Sequence, residues 1–388
     1  MSSITPFKIA IPEAKIERLK QKLALTDFPE FHSDEEPWSL GPPGADIKRL
    51  AKYWEDGFDW RSIEAHINTF PQYTASISIE QYGTYDVHFI HQQSKVNNAI
   101  PLLFIHGWPG SFIEVTKILP ELIQGGERYP AFHVVAPSLI DFGFSSASNK
   151  RGFNFDQHAE TCHKLMLALG YHEYVIQGGD LGSLVARFIV LKYGKKHVKA
   201  HHMNTLAPSQ PTETDHPELF AQMQSTPLTA FEQAGLARTA AFNEEGNGYF
   251  KQQSTKPETT GFFMADSPVG LLAWIYEKLH DWVDNYKWTD DEILTWISIY
   301  YFSKAGPAAT NYVYHAIVHR DPLCFVAAGA YSDVPLGTAR FAKDLILLPK
   351  LWDRTMGPVV YEKEYEKGGH FAAYERPHAI VDDLRSMF

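Results

Sequence analysis

Tyr174-Val175-Ile176-Gln177-Gly178-Gly179-Asp180-Leu181-Gly182-Ser183-Leu184-Val185-Ala186 decides the fold. A short β-branched run ends in two glycines, one acidic residue sits among small neighbours, and an apolar helix-like segment continues through Tyr193. The spacing Gly178-x-Asp180-x-Gly182 is that of a nucleophile elbow, a strained strand-to-helix turn, with aspartate where serine is usual. Glycines leave room around such a turn, so Asp180 is expected to project alone into a pocket. The plainer reading is a carboxylate capping the helix behind it. This stretch taken alone leaves both open.

Working outward, Pro101–His106 and Ala131–Pro137 are continuous apolar runs of the kind found in buried parallel strands, each leading into a Gly-rich loop. Helical segments 112–123 and 157–169 lie between and after them, so strand and helix alternate and the core reads as a mostly parallel sheet with helices on both faces. Ahead of it, Ile77 and Ile79, then Val87 and Phe89 around the turn at Gly83-Thr84, alternate with period two and predict two antiparallel strands. Residues 11–25 place Ile16, Leu19 and Leu23 at helical spacing behind Pro12. Residues 28–75 are rich in Pro, Trp and His with little periodicity and read as an ordered meander wrapped over the main domain. Residues 208–320 hold strongly helical stretches, Val269–Trp282 and Glu292–Phe302, and no convincing strand. A helical insertion after the sixth core strand reads as a lid. Strand character returns at Val334–Phe341 and Pro358–Tyr361, and a last helix runs from about Pro377 to Met387. The expected organisation is residues 1–75 as N-terminal helix and meander, 76–207 and 321–388 as the two parts of the core, and 208–320 as the lid.

Composition narrows the partners. The chain has 388 residues, 44% of them hydrophobic and 14% aromatic, enough for a large core and an apolar cavity. A formal net charge of -11 and no dense Lys/Arg run argue against nucleic acid and anionic membrane surfaces. Cys162 and Cys324 stand far apart with no metal-ligand partners at the usual spacing, so neither a disulfide framework nor a metal site is expected and a reducing compartment fits. The N-terminus carries no secretion signal pattern and no stretch approaches the ~20 apolar residues of a membrane span, so a cytoplasmic protein is expected.

A nucleophilic carboxylate needs three kinds of help. His106-Gly107-Trp108-Pro109-Gly110 follows the first buried parallel strand, where an elbow protein takes one oxyanion-hole N–H from a Gly-rich loop. The Trp108 N–H is the candidate, paired with that of Leu181 at the helix N-terminus, and a cis bond before Pro109 would help aim the loop. A base for water is His370, in Glu366-Lys367-Gly368-Gly369-His370-Phe371. The acid that orients it is Asp344, preferred over Asp333, Asp353 and Glu362 to Glu366, which read as surface charges. The order nucleophile, acid, histidine suits the elbow. Each residue alone also has a bland reading: Pro-Gly is a turn signal, and most of the 18 histidines have no part in chemistry.

Together, Gly178-Gly179-Asp180-Leu181-Gly182-Ser183, His106-Gly107-Trp108-Pro109-Gly110-Ser111 and Gly368-Gly369-His370-Phe371-Ala372-Ala373 resemble an epoxide hydrolase of the α/β-hydrolase fold, on the microsomal and fungal branch with an N-terminal meander. The resemblance covers nearly the whole chain. It implies an eight-stranded, mostly parallel sheet and two lid tyrosines that hold the epoxide oxygen. Tyr249, ahead of Ser254-Thr255-Lys256-Pro257, matches the first, and Tyr314, after Ala305-Gly306-Pro307-Ala308-Ala309, matches the second. Tyr312 stands where the family carries arginine, which leaves the choice between Tyr312 and Tyr314 open. Asp141, in Ile140-Asp141-Phe142-Gly143, replaces a usual glycine, and its carboxylate is expected near the mouth or in solvent. The implied reaction joins the epoxide to Asp180 as an ester, which water activated by His370 and Asp344 then hydrolyses to a vicinal diol. No metal or organic cofactor is implied. The implied partner is a small-molecule epoxide, without membrane anchor or nucleic acid, and a homodimer is left open. Detoxification or aromatic hydrocarbon catabolism is the expected setting. The rival readings are a haloalkane or haloacid dehalogenase, disfavoured because Leu181 cannot donate to a halide as tryptophan does there, and a non-catalytic binding protein on the same fold.

Overall fold

The computed structural model describes residues 4–31, 37–148 and 150–388; Met1 to Ser3 and residues 32–36 of the expected meander lie outside the described residues. Its centre is one nine-stranded sheet: β1 (Ile4–Pro6), β2 (Gln72–Ile79), β3 (Gly83–Gln92), β4 (Ile100–Ile105), β5 (Phe132–Pro137), β6 (Tyr174–Gly178), β7 (Val198–Met203), β8 (Leu336–Phe341) and β9 (Val359–Tyr365), in the order β1-β2-β3-β5-β4-β6-β7-β8-β9. From β5 to β9 every pairing is parallel, and β1, β2 and β3 are joined to it antiparallel. The expectation of eight strands is corrected by β1, three residues paired with Tyr73 to Ala75. Three residues are too few to show a period.

Register places the chemistry. Ile105 at the end of β4 and Met203 at the end of β7 both pair with Gly178 at the end of β6. The loops leaving these strands therefore emerge side by side at the carboxyl edge of the sheet, where parallel α/β sheets bind ligands. β6 is buried along its whole length, and the helix behind it, Leu181–His197, buries Leu181 to Val190.

Two helical expectations change. The stretch 28–75 contains the helices Gly44–Asp56 and Trp60–Ile67, the first burying Ile47, Leu50, Ala51 and Trp54. Those positions follow the i, i+3, i+4, i+7 stripe. Residues 112–123 form a 3-10 segment, Phe112–Lys117, and one α turn, Leu119–Leu122. Pro120 lacks the N–H that a continuous helix would need there.

Among the described residues, the chain between β7 and β8 holds only helices and loops, from Pro217–Ser225 to Cys324–Ala328. This helical layer is tied to the N-terminal segment: Trp54 Nε1 donates to Ser298 Oγ (3.1 Å), the Tyr53 hydroxyl donates to Asp291 (2.8 Å), and Arg49 pairs with Asp290. No helix among the described residues is long and apolar enough to cross a membrane.

Candidate active site

Asp180 stands between β6 and its helix with φ 50° and ψ −129°, a left-handed conformation that costs a non-glycine residue roughly 1–3 kcal/mol and persists only when its surroundings impose it. The turn fits because Gly182 presses against β4: a Cβ there would lie 2.1 Å from the Ile105 carbonyl oxygen. Gly107 is equally constrained, since its Cβ would lie 2.1 Å from Asp180 Oδ1. The helix-cap reading of Asp180 does not hold, because its side chain makes no cap hydrogen bond.

The carboxylate has two different sides. The Trp108 N–H donates to Oδ1 (2.7 Å), and Oδ2 lies 3.3 Å from His370 Nε2. Leu181 opens the helix, so its N–H is a first-turn donor without an intrahelical partner. The loop that offers Trp108 is held from both sides. The Leu139 N–H donates to His106 Nε2 (3.1 Å), which puts the ring proton on Nδ1 facing the Gly107 carbonyl (3.0 Å). Burial pushes the His106 pKa down to about 4, so the ring is neutral. From the helix Asp290–Tyr301, Trp296 Nε1 donates to the Pro109 carbonyl and the Tyr300 hydroxyl to that of Gly110 (2.6 Å). The Trp108-Pro109 peptide is cis.

His370 Nδ1 donates to Asp344 Oδ1 (2.8 Å), and both side chains are buried. Asp344 also accepts from the Leu345 N–H (2.7 Å) and the Thr205 hydroxyl (3.3 Å). The backbone N–H of His370 donates to the Trp282 carbonyl (2.7 Å), so the helical layer positions the imidazole as it does the Trp108 loop. Burial alone would lower the His370 pKa; the carboxylates of Asp344 and Asp180 outweigh it and raise it to about 10. At neutral pH the resting imidazole is therefore charged.

Tyr249 and Tyr314 reach the same place from the helices Gly248–Thr255 and Asn311–His319. The Tyr249 ring stacks on Trp108 (centroids 5.0 Å, 11°), and Tyr314 meets both edge-on, at 5.5 Å from Trp108 and 5.8 Å from Tyr249. Burial first, then the negative charge of Asp180 for Tyr249, and for Tyr314 the Tyr249 phenol ahead of it, hold both phenols well above pH 10, so they stay protonated donors. The Tyr314 hydroxyl is buried and faces the Tyr249 phenol. Tyr312, the alternative, is 46% exposed and points away from this group.

Two cavities meet at Asp180. One has about 20 Å³ open to the centre of a water molecule, room for one water, and is walled by Glu114, Gln177, Asn204 and His370. The other, about 40 Å³ on the same measure, is walled mainly by Leu184, Met203, Leu206, Phe325 and Met356. Glu114 was not singled out from the sequence; its one signal was the Ser111-x-x-Glu114 spacing of a capping box, which it does form.

Two acids differ from expectation. Asp353 is fully buried and paired with Arg340 rather than a surface charge, its pKa raised by burial against the pull of that arginine. Asp141 is buried as well. Its Oδ1 accepts the Ser148 N–H (2.6 Å), closing the loop 141–148, and burial raises its pKa to about 6. Its φ of 73° is the conformation that favours glycine. Among the described residues no cluster of His, Cys, Asp and Glu could hold a metal ion.

Family models place these residues among known proteins. One described as "Epoxide hydrolase N terminus" matches residues 4–115, and one described as "alpha/beta hydrolase fold" matches residues 100–377. A Stigmatella aurantiaca protein whose name proposes an epoxide hydrolase is 37% identical over 396 residues, 99% of this chain and 84% of the relative. Epoxide hydrolase 1 of Sus scrofa is 31% identical, covering 99% and 88%. Among solved structures, Aspergillus niger epoxide hydrolase matches with TM-score 0.85 at 33% identity over 99% of this chain and 96% of that one. Juvenile hormone epoxide hydrolase from Bombyx mori matches with TM-score 0.89 at 25% identity, covering 100% and 94%.

Proposed function

Since the chain belongs to the epoxide hydrolases of the α/β-hydrolase fold, we propose that Asp180 is the nucleophile, Tyr249 and Tyr314 the acids, His370 with Asp344 the base, and the Trp108 and Leu181 N–H groups the oxyanion hole. The observation that carries this reading is the Asp180 carboxylate, one oxygen on the Trp108 N–H and the other facing His370 Nε2.

In the first half-reaction an Asp180 oxygen attacks a ring carbon, the C–O bond breaks, and a lid tyrosine gives its proton to the leaving alkoxide. The apolar cavity beside Leu184 and Met203 takes the substituent of the epoxide. Esterification consumes the Asp180 charge, one of the two that hold the His370 pKa near 10. The imidazole then falls towards its ordinary range and gives up its proton, which restores the phenol of the tyrosine that protonated the alkoxide. In the second half-reaction neutral His370 takes a proton from water, the oxygen adds to the Asp180 carboxyl carbon, and the N–H pair holds the oxyanion. Collapse expels the diol oxygen, which takes the proton from His370. The new carboxyl proton on Asp180 passes to His370, which restores the resting carboxylate and imidazolium.

The test is a single turnover in ¹⁸O-water followed by mass analysis of the peptide containing Asp180. Label enters Asp180 and not the first diol, and His370→Gln accumulates an ester of enzyme plus epoxide mass. Label found only in the diol, with no adduct on the glutamine variant, would exclude the ester.

A further inference from the structure

We infer that Glu114 holds the hydrolytic water, sharing it with His370 on the side of Asp180 opposite the apolar cavity. The inference rests on the ester reading above and adds a residue to its second half-reaction.

The observations are geometric. Glu114 is half-buried and walls the one-water cavity together with Asp180 and His370. Its Oε1 accepts the Ser111 N–H (3.2 Å) as the return half of the capping box. Its second oxygen has no protein hydrogen bond among the described residues and is not sealed off by neighbouring atoms. A buried water needs two to four polar partners. His370 Nε2 supplies one and the free Glu114 oxygen another, and the two receive the two protons of a water whose oxygen then faces the Asp180 carboxyl carbon.

Capping does not account for this placement. A capping box accepts glutamine as well as glutamate, so a carboxyl is not needed to close the turn, whereas burying one here is costly. Burial pushes the Glu114 pKa up to about 8, with Asp180 adding to the rise and His370 opposing it. The groups that face Glu114 are Asp180 at the elbow, His370 on its loop and Tyr300 on the helix Asp290–Tyr301, whose phenol Glu114 helps hold well above pH 10. The water still gives its proton to His370, and Glu114 accepts a hydrogen bond only.

Glu114→Gln tests this because it keeps the cap and removes the charge. With styrene oxide under single-turnover conditions, ester formation on Asp180 stays within about 3-fold of wild type while ester hydrolysis slows at least ~10-fold, the range over which a mispositioned reactant is felt. The ester therefore accumulates in steady state. The pH profile of the hydrolysis step also shifts: without the neighbouring negative charge His370 deprotonates at lower pH, so the rising limb moves down. A purely structural role would leave that limb in place. Hydrolysis at the wild-type rate with an unmoved limb, or an equal loss in both steps with a lowered denaturation midpoint, would reduce Glu114 to a cap. Absence of any adduct on Asp180, in this variant and in His370→Gln alike, would instead overturn the ester reading itself.

Discussion

Tyr314→Phe separates the chemistry of one atom from the packing of the ring that carries it. The Tyr314 ring is 2% exposed and packs edge-on against Trp108, Tyr249 and Phe250, and phenylalanine keeps those contacts. The hydroxyl is buried and faces the Tyr249 phenol. The same hydroxyl is proposed to meet the alkoxide in the transition state, where losing one preorganised donor typically costs ~10²-fold to 10³-fold, about 2.7–4 kcal/mol. The substitution should therefore slow ester formation, leaving the thermal midpoint and the hydrolysis of a formed ester nearly unchanged. Trp108 and Trp282, whose rings lie 6.0 Å apart beside the site, report ester formation by fluorescence under single turnover. Tyr312→Phe, at an exposed position, should change neither quantity. Ester formation at the wild-type rate in Tyr314→Phe would refute the role, and a strongly lowered midpoint would refute the claim that phenylalanine keeps the packing.

Two further outcomes follow from the geometry. His370 is raised from 6.5 to about 10 in the folded protein, so its contribution to stability is full below about pH 6.5 and lost as pH rises through 10; the stability advantage of wild type over His370→Gln, read by urea denaturation, should shrink across that interval, and a constant difference would mean a neutral resting imidazole. Gly182→Ala puts a Cβ 2.1 Å from the Ile105 carbonyl oxygen and 2.8 Å from that of His106, both backbone atoms that cannot swing aside; forcing the helix off β4 should cost at least ~2 kcal/mol and most of the activity, and an unchanged denaturation midpoint would contradict the close approach.

What the sequence revealed depended on how local each signal was. The elbow was legible because its whole requirement, small residues on both sides of one acid after a strand, lies within Gly178 to Gly182. His370 and Asp344 were legible through chain order, which fixes which loops can reach the elbow. Asp353 was not, since a buried acid paired with Arg340 on β8 looks, in one dimension, like any solvated carboxylate. The choice between Tyr312 and Tyr314 likewise waited for burial, because two residues apart on a helix face different ways. The helices Gly44–Asp56 and Trp60–Ile67 carried a readable stripe, masked by the prolines and tryptophans around it. Glu114 was hidden by a correct reading: its spacing to Ser111 announces a cap, and the cap is real, but nothing nearby in sequence says that it lines a cavity with Asp180 and His370.

That last residue completes an electrostatic argument for the order of the two half-reactions. Three carboxyls, Asp180, Asp344 and Glu114, lie around one imidazole. In the resting state the carboxylates of Asp344 and Asp180 keep His370 protonated at pH 7, so no base is available and a water in the cavity stays inert. Nucleophilic attack needs only Asp180 charged, and the Trp108 N–H and the imidazolium support that charge. In the proposed mechanism esterification removes one negative charge from beside the imidazole, so the His370 pKa falls towards that of a base. The substrate thus switches on the hydrolytic machinery by consuming a charge, and no movement of the fold is required.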